Sequence, residues 1–207
     1  MSCAHKFLSY LELERLDFEP TTLVVGTFIP EWPEEPTEWF YGRTAHNYFW
    51  DILPRLYGEE SLINASPNEW KRFCRNKQIA ITDLFKSIDD ADPNDPEHRK
   101  MLGSLSNNSI IHNFEDINYV NILQLLRLHP AIKHVYLTRG VTEAFWRHLW
   151  NPVTHYCNHN GVRERKLLTP SRDAAYQHEA YNGQNPQNKI PLLEDYLLTR
   201  WQQEWHF

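Results

Sequence analysis

The sequence predicts an α/β fold: a three-layer αβα sandwich with a central, mostly parallel four-stranded sheet. Four short runs rich in β-branched and apolar residues indicate buried strands. Stretches with helical spacing lie between these runs and after them. Strands that alternate with helices form parallel sheets with helices packed on their faces. The predicted strands cover residues 22–27, 78–84, 132–138 and 164–168.

The helical stretches carry apolar residues three and four positions apart, which gives a helix one apolar face. They cover residues 45–56, 67–75, 119–128, 141–150 and 191–204. The first and third strand runs, TLVVGT and IKHVYLT, are almost continuously apolar, as expected of strands covered on both faces. The acidic, proline-broken DDADPNDPE at 89–97, with the SLSNNS that follows at 104–109, predicts an exposed excursion.

A length of 207 residues suits one domain over residues 1–207 and is enough for a packed core. No run approaches the ~20 apolar residues of a membrane span. The first residues lack the basic start and apolar centre of a signal peptide, so we expect a cytoplasmic protein.

The cysteines Cys3, Cys74 and Cys157 are far apart in the sequence, which fits reduced thiols and excludes an iron–sulfur cluster held by four thiolates. In HYCNHN, His155 and His159 flank Cys157, but the spacing lacks the ligand pairs of a zinc site. We expect a polar loop or edge strand there, and no metal.

The chain is acidic, with 21 Lys and Arg against 27 Asp and Glu and a formal net charge of −6. This counts against a protein that coats nucleic acid electrostatically, because such proteins neutralise many phosphates. It leaves open an enzyme that grips a few phosphates at one patch. No P-loop, GxGxxG or GxSxG pattern is present, so we expect neither a nucleotide cofactor nor serine hydrolase chemistry.

Ligands of open α/β sheets bind at the carboxyl ends of the strands, which directs attention to the loops after Thr27, Leu84 and Leu168. The first, GTFIPEWPEEPTEWFYGRTAHN, is far longer than an ordinary βα connection. Its rings suit stacking on bases or sugars, although they can equally cap the core.

Three motifs at these strand ends carry a family resemblance. The first strand runs into LVVGTFIP, FYGR and HNYFW follow in the long loop, and LTPSRDAA follows the last strand. In this order they resemble the uracil-DNA glycosylase superfamily, and most of all its hypoxanthine/uracil branch. That branch has a Gly-Ser-x-Pro-like motif, a Tyr-Tyr…Asn-x-Phe-Trp block and a late Pro-Ser motif. The resemblance spans about residues 23–175, and NYFW is its most specific element.

The resemblance implies a monofunctional DNA glycosylase of base excision repair, monomeric and without a cofactor. Such an enzyme hydrolyses the N-glycosidic bond of uracil or hypoxanthine after extruding the nucleotide from the duplex. Many members carry an Asp or Asn in the first motif to orient water, but Thr27, Phe28 and Ile29 stand here. One extra residue separates Tyr41 from Asn47 relative to the expected pattern.

By the resemblance, Asn47 is the important polar residue. An amide both donates and accepts hydrogen bonds and so can read a lactam edge, although Asn47 can also cap the helix that begins nearby. Phe28, Phe40 and Tyr41 are candidates for a stacking wall, the alternative being ordinary packing. Backbone amides at Gly26 and Thr27 are candidates for binding the base carbonyl or a water.

The late motif, Thr169, Pro170 and Ser171, begins a loop that is expected to contact the DNA backbone through its hydroxyls and amides. Arg172, where the branch has a small or hydroxyl residue, either fills the vacated stack, pairs with phosphate, or bridges to Asp173.

Three further residues follow strand ends. Arg43 and Arg139 can add phosphate contacts or be ordinary surface arginines. Asp83 is either a base that activates water, a group that orients another residue, or a capping or salt-bridged aspartate. Two other functions remain open: a catalytically silent module of this fold that binds nucleic acid or protein, and a hydrolase of small N-glycosides.

Overall fold

The computed structural model describes residues 2–33, 37–104 and 107–206. Its strands are β1 (Cys3–Ala4), β2 (Thr22–Gly26), β3 (Ile79–Asp83), β4 (Phe85–Ile88), β5 (Ile117–Tyr119), β6 (His134–Leu137) and β7 (Arg163–Lys166). Its helices are α1 (Phe49–Leu56), α2 (Pro67–Lys77), α3 (Pro96–Ser104), α4 (Asn107–Asn113), α5 (Ile122–Leu128), α6 (Ala144–His159), α7 (Ala175–Gln184) and α8 (Leu193–Glu204). Short 3₁₀ turns lie at Leu8–Tyr10 and Arg172–Ala174.

The central sheet has the strand order β3-β2-β6-β7, and every neighbouring pair is parallel. Every residue of β2 and β3 is buried, because helices pack on the sheet. The predicted fold class, a helix-flanked α/β sandwich around four parallel strands, is confirmed. The four observed strands lie within the predicted runs or within one residue of them.

The register aligns the carboxyl ends of the strands at one edge of the sheet. Gly26 lies opposite Asp83, and Val25 lies opposite Leu137. The loops that follow β2, β3, β6 and β7 therefore emerge side by side, as a parallel sheet requires.

A second sheet, antiparallel with the order β1-β4-β5, was not predicted. Its strands have two to four residues, too few for an alternating pattern to show in the sequence. The pairing continues at His5, whose N–H donates to the oxygen of Lys86 at 2.8 Å. This short sheet therefore holds the amino-terminal segment beside the end of β3.

The prediction for HYCNHN was wrong, because these residues form the last turns of α6. The predicted helical stretch ended at residue 150, two residues before Pro152, and a proline inside a helix removes one N–H donor. Apolar spacing continues past the proline, however, and Trp146, Trp150, Val153 and Cys157 are all buried. Packing of this face outweighs the cost of the proline.

Other differences concern the excursion and the helix starts. Residues 89–95 form turns, but α3 begins at Pro96 and α4 at Asn107, with Leu102 and Ile110 buried beneath them. Residues 105 and 106 of SLSNNS lie outside the described residues. Helix α7 was not predicted, and α1 begins at Phe49, so the preceding residues 45–48 belong to the loop. None of the helices described combines the length and apolar character that crossing a bilayer requires.

Helix α8 is tied to the loop after β7 by Trp201. Its fully buried indole donates from Nε1 to the oxygen of Leu168 at 2.8 Å, and the ring meets Phe49 edge-on at 5.9 Å. This contact fixes the start of the loop that carries Thr169, Pro170 and Ser171.

We therefore expect Trp201→Phe to lower the free energy of unfolding by about 2–4 kcal/mol, through the lost hydrogen bond and the smaller ring. Urea denaturation measures the change. Trp32→Phe is the matched control, because its indole donates to the oxygen of Ser2 at an exposed site. Equal effects of the two substitutions would contradict this role for Trp201.

Candidate active site

A cavity of about 380 Å³ opens at the carboxyl edge of the central sheet. Its volume lies within the range of small-molecule sites. It is lined by Gly26, Thr27, Phe28, Ile29, Thr37, Tyr41, Gly42, Arg43, His46, Asn47, Asp83, Gly103, Ser104, Thr138, Thr169, Pro170, Ser171, Arg172 and Asp173. All of the residues proposed from the sequence lie here except Phe40 and Arg139.

The segment before α1 and the loop after β7 are joined by backbone hydrogen bonds. The N–H of Tyr48 donates to the oxygen of Pro170 at 2.7 Å, and the N–H of Arg172 donates to the oxygen of His46 at 3.1 Å. Asn47 and Ser171 are thereby paired as an antiparallel bridge. Two motifs that are far apart in the sequence thus form one wall of the cavity.

The side chain of Asn47 is oriented by the start of α1. Its Oδ1 accepts a hydrogen bond from the N–H of Phe49 at 2.9 Å, so one of the unpaired N–H groups of the helix is satisfied. Nδ2 has no hydrogen-bond partner among the residues that the structure describes. Asn47 therefore caps the helix and lines the cavity at the same time, while its contact with a base stays a prediction.

Asp83 is anchored by a histidine that the sequence analysis missed. Nε2 of His5 lies 2.7 Å from Oδ2 of Asp83, and both side chains are buried. Nδ1 of the same ring accepts a hydrogen bond from the N–H of Phe7 at 2.9 Å. The ring proton is therefore on Nε2, which donates a hydrogen bond to the carboxylate. No motif marked His5, because a β1 of two residues brings it to the site.

The other carboxylate oxygen of Asp83 faces Gly26. A Cβ atom on Gly26 would overlap Asp83 Oδ1 and would lie 2.8 Å from the hydroxyl of Tyr41. Glycine is thus required here by close approach of side chains from two other segments. The sequence had suggested that Gly26 lets a ligand approach; the structure shows that it also makes room for Asp83.

Tyr41 contributes its hydroxyl to the cavity and one ring face to the core. Its ring stacks on Phe49 with centroids 3.9 Å apart. The hydroxyl donates to Oγ1 of Thr138 at 2.9 Å, since Thr138 in turn donates to the oxygen of Val25 at 3.2 Å. Burial, and then the nearby charge of Asp83, raise the pKa of Tyr41 well above its ordinary value, so the phenol stays protonated. Tyr41 also has a φ of 56°, a left-handed conformation uncommon for tyrosine.

Phe28 lines the cavity, but the placement of Phe40 in its wall was wrong. The ring of Phe40 is buried behind the wall, 5.6 Å from the ring of His5 and 5.1 Å from that of Trp39. Its backbone oxygen accepts from Nε1 of Trp50 at 2.9 Å, which holds this part of the loop against the core. Phe40 therefore packs against His5 from behind.

The loop after β7 places its polar groups at the mouth of the cavity. Oγ of Ser171 accepts from the N–H of Asp173 at 3.3 Å and donates to its carboxylate at 3.0 Å. Oγ1 of Thr169 lies 3.2 Å from the same hydroxyl. Arg172 is exposed, and in the described part of the chain it forms no ion pair with Asp173 or any other carboxylate. Of the roles considered for Arg172, the bridge to Asp173 is therefore not formed.

Of the two remaining candidates, Arg43 lies in the cavity lining and is partly buried, while Arg139 lies outside the lining. Arg139 is not an ordinary surface arginine, because its guanidinium stacks on the ring of Trp146. Within residues 2–33, 37–104 and 107–206, no three His, Cys, Asp or Glu side chains are grouped to hold a metal ion. The rings of His155 and His159 lie next to each other on α6, tilted by 38° with centroids 4.2 Å apart.

Sequence comparisons match the chain to no family model and to no curated protein. A structural comparison finds similarity to the solution NMR structure of a "putative Uracil DNA glycosylase" from Methanosarcina acetivorans. The TM-score is 0.51 at 14% sequence identity, over 92% of this chain and 94% of that one. At this identity the likeness shows the fold alone. The chain therefore shares the αβα sandwich fold of that structure. Its membership of the uracil-DNA glycosylase superfamily, and of the hypoxanthine/uracil branch in particular, stays a prediction.

The close fit around Gly26 gives a test of the site geometry. We expect Gly26→Ala to lower the free energy of unfolding by about 1–3 kcal/mol, because the added methyl group must displace Asp83 or Tyr41. Gly140→Ala is the matched control, since a Cβ at Gly140 would meet no atom within 4 Å. Chemical denaturation of both variants measures the difference, and a Gly26→Ala variant as stable as the control would show that the packing differs from that described.

Proposed function

We propose that the protein is a DNA glycosylase that hydrolyses the N-glycosidic bond of a deaminated base, uracil or hypoxanthine. The observation that carries the proposal is the meeting of Asn47 and Asp83 in one cavity. They come from different segments, and the cavity lies at the ligand-binding edge of a glycosylase-type sandwich. The fold similarity and the order of the motifs support the proposal.

Breaking this bond develops positive charge on the sugar and negative charge on the departing base. The base needs a hydrogen-bond donor at the oxygen that gains charge. Asn47 supplies one, because its Oδ1 is held by the N–H of Phe49 and its Nδ2 is left for a ligand. An amide held in this way need not reorient as charge develops.

Asp83 supplies the carboxylate that the first motif lacks. Its Oδ2 is held by neutral His5, while Oδ1 lies on the cavity side near Gly26. We assign it two effects: it accepts a proton from the attacking water, and its negative charge stabilises the cationic sugar. This places the water-orienting group on β3 rather than among Thr27, Phe28 and Ile29.

The other cavity residues suit an extruded nucleotide. Phe28 and Tyr41 offer aromatic surface beside the base, while the hydroxyls of Thr169 and Ser171 suit contacts with phosphate. Arg172 lies exposed on the same loop. DNA binding at this cavity is compatible with a net charge of −6, because the phosphate contacts are confined to the cavity mouth.

The activity is tested by incubating excess pure protein with duplexes that carry uracil, hypoxanthine or xanthine, followed by alkali. We expect strand breaks at uracil or hypoxanthine. Salt-dependent binding without breaks would instead indicate a silent binding module, which the missing polar group of the first motif favours. Base release from a mononucleoside without any duplex would indicate a hydrolase of small N-glycosides.

Asn47→Asp separates the two roles of Asn47. Aspartate still accepts the N–H of Phe49, so the helix cap and the thermal midpoint are expected to be kept. The donor to the base is lost, so single-turnover base release is expected to fall on the order of 100- to 1,000-fold. A wild-type rate in this variant would reduce Asn47 to a helix cap.

Asp83→Asn tests the carboxylate at nearly constant shape. The amide oxygen can still accept from His5, while the negative charge and the basic oxygen are removed. We expect base release at saturating protein to fall by roughly 100- to 10,000-fold, with DNA binding retained. Asp90→Asn, at an exposed side chain that accepts from the N–H of Glu115, is the control. An unchanged rate in Asp83→Asn would exclude Asp83 from the chemistry.

A further inference from the structure

Arg139 directly follows Thr138, a residue of the cavity wall, and its side chain is held in an unusual way. The guanidinium carbon lies 3.2 Å from the centroid of the Trp146 ring, and that indole is fully buried. Trp146 is itself stacked with Phe85, with centroids 5.7 Å apart. The cation is thus fixed against an aromatic stack at the edge of the cavity.

Few hydrogen bonds within the protein stabilise the charge of Arg139. Nη1 donates to Oγ1 of Thr27 at 3.4 Å, and Nε donates to the oxygen of Gly140 at 3.3 Å, both long hydrogen bonds. Among the described residues no carboxylate lies within 4.0 Å. The nearby Glu143 accepts from Nδ2 of Asn108 instead, at 2.7 Å.

Burial lowers the pKa of Arg139 to about 10, which leaves the side chain charged at neutral pH. Withdrawing a charge from water without a partner is costly, so charges in such places normally pair with an opposite charge. The charge of Glu143 favours the cation from beyond 4.0 Å, but among the described residues no carboxylate is paired with Arg139. Its contact with Thr27, which lines the cavity, indicates where a partner would bind.

We propose that Arg139 and Thr27 form an oxyanion subsite of the cavity. The inference rests on the proposed function and adds a recognition element to it. The oxyanion is either a phosphate beside the extruded nucleotide or the oxygen of the departing base as it gains negative charge. A planar guanidinium held by stacking suits both, because its N–H groups are already oriented.

The test compares Arg139→Gln with Arg163→Gln. Arg163 lies exposed at the amino end of β7, opposite His134 and thus at the far edge of the sheet, so both variants lose the same charge. Two quantities are measured for each: binding to a duplex with a non-cleavable abasic analogue over a range of salt, and single-turnover base release at saturating protein.

If the oxyanion is a phosphate, Arg139→Gln weakens binding and lowers the salt slope by about one, while the saturated rate is kept. If it is the base, the rate falls on the order of 100-fold or more and binding is kept. Binding and rate both equal to those of Arg163→Gln would overturn the subsite.

A merely structural arginine would behave differently. Removing an uncompensated, partly buried charge is expected to leave the thermal midpoint unchanged or higher, whereas loss of a stabilising stack would lower it. Arg139→Lys, which keeps the charge, should retain part of any phosphate binding. A lowered midpoint in Arg139→Gln, with binding and rate unaffected, would overturn the proposal. If the wild-type protein releases no base, the proposed function fails and the base-oxygen alternative fails with it. The binding comparison then decides whether Arg139 and Thr27 bind a phosphate.

Discussion

The cavity depends on the pairing of Asn47 with Ser171. Without the two backbone hydrogen bonds on either side of this pair, the segment before α1 and the loop after β7 would be separate surface loops. Their pairing makes one wall and fixes how far Asn47 can lie from the carboxyl ends of the strands. Trp201 supports the same wall from behind, because it binds the oxygen of Leu168 just before the loop begins.

The opposite wall depends on a buried polar pair. His5 and Asp83 are both withdrawn from water, and such a pair is tolerated only when each group is well hydrogen-bonded. Here Nδ1 of His5 accepts a hydrogen bond from the N–H of Phe7, and Nε2–H donates one to the carboxylate, so the ring has no unpaired polar atom. The result is a carboxylate with one oxygen committed to the fold and one directed toward the cavity side.

The sequence was sufficient for the parts of the fold that have a strong local signal. The runs around Val24 and Tyr136 are long enough and apolar enough to predict buried strands, and their carboxyl ends locate the cavity. The NYFW block identified Asn47 as a candidate site residue, because a motif can be recognised within a short stretch of sequence. The two alternative roles of Asn47 could also be stated in advance. The structure shows the hydrogen bond to the start of α1, and the contact with a base stays a prediction.

What the sequence could not give is whatever depends on contacts between distant residues. His5 has no neighbouring pattern, and its position follows from pairing with Lys86 in a sheet of very short strands. Phe40 and Tyr41 are adjacent aromatic residues that the sequence does not distinguish. In the fold the ring of Phe40 packs behind the cavity wall, whereas Tyr41 stacks on Phe49 and lines the cavity. The predicted helix ended at residue 150, whereas the buried face through Cys157 carries α6 on to His159.

The most direct measurement is a crystal structure of the protein bound to a duplex that carries a non-hydrolysable deoxyuridine or deoxyinosine analogue. The account predicts an extruded base inside the cavity, with Nδ2 of Asn47 within about 3 Å of its carbonyl oxygen and Asp83 on the sugar side. A base that remains stacked in the duplex, or a duplex bound at another face of the sheet, would contradict it.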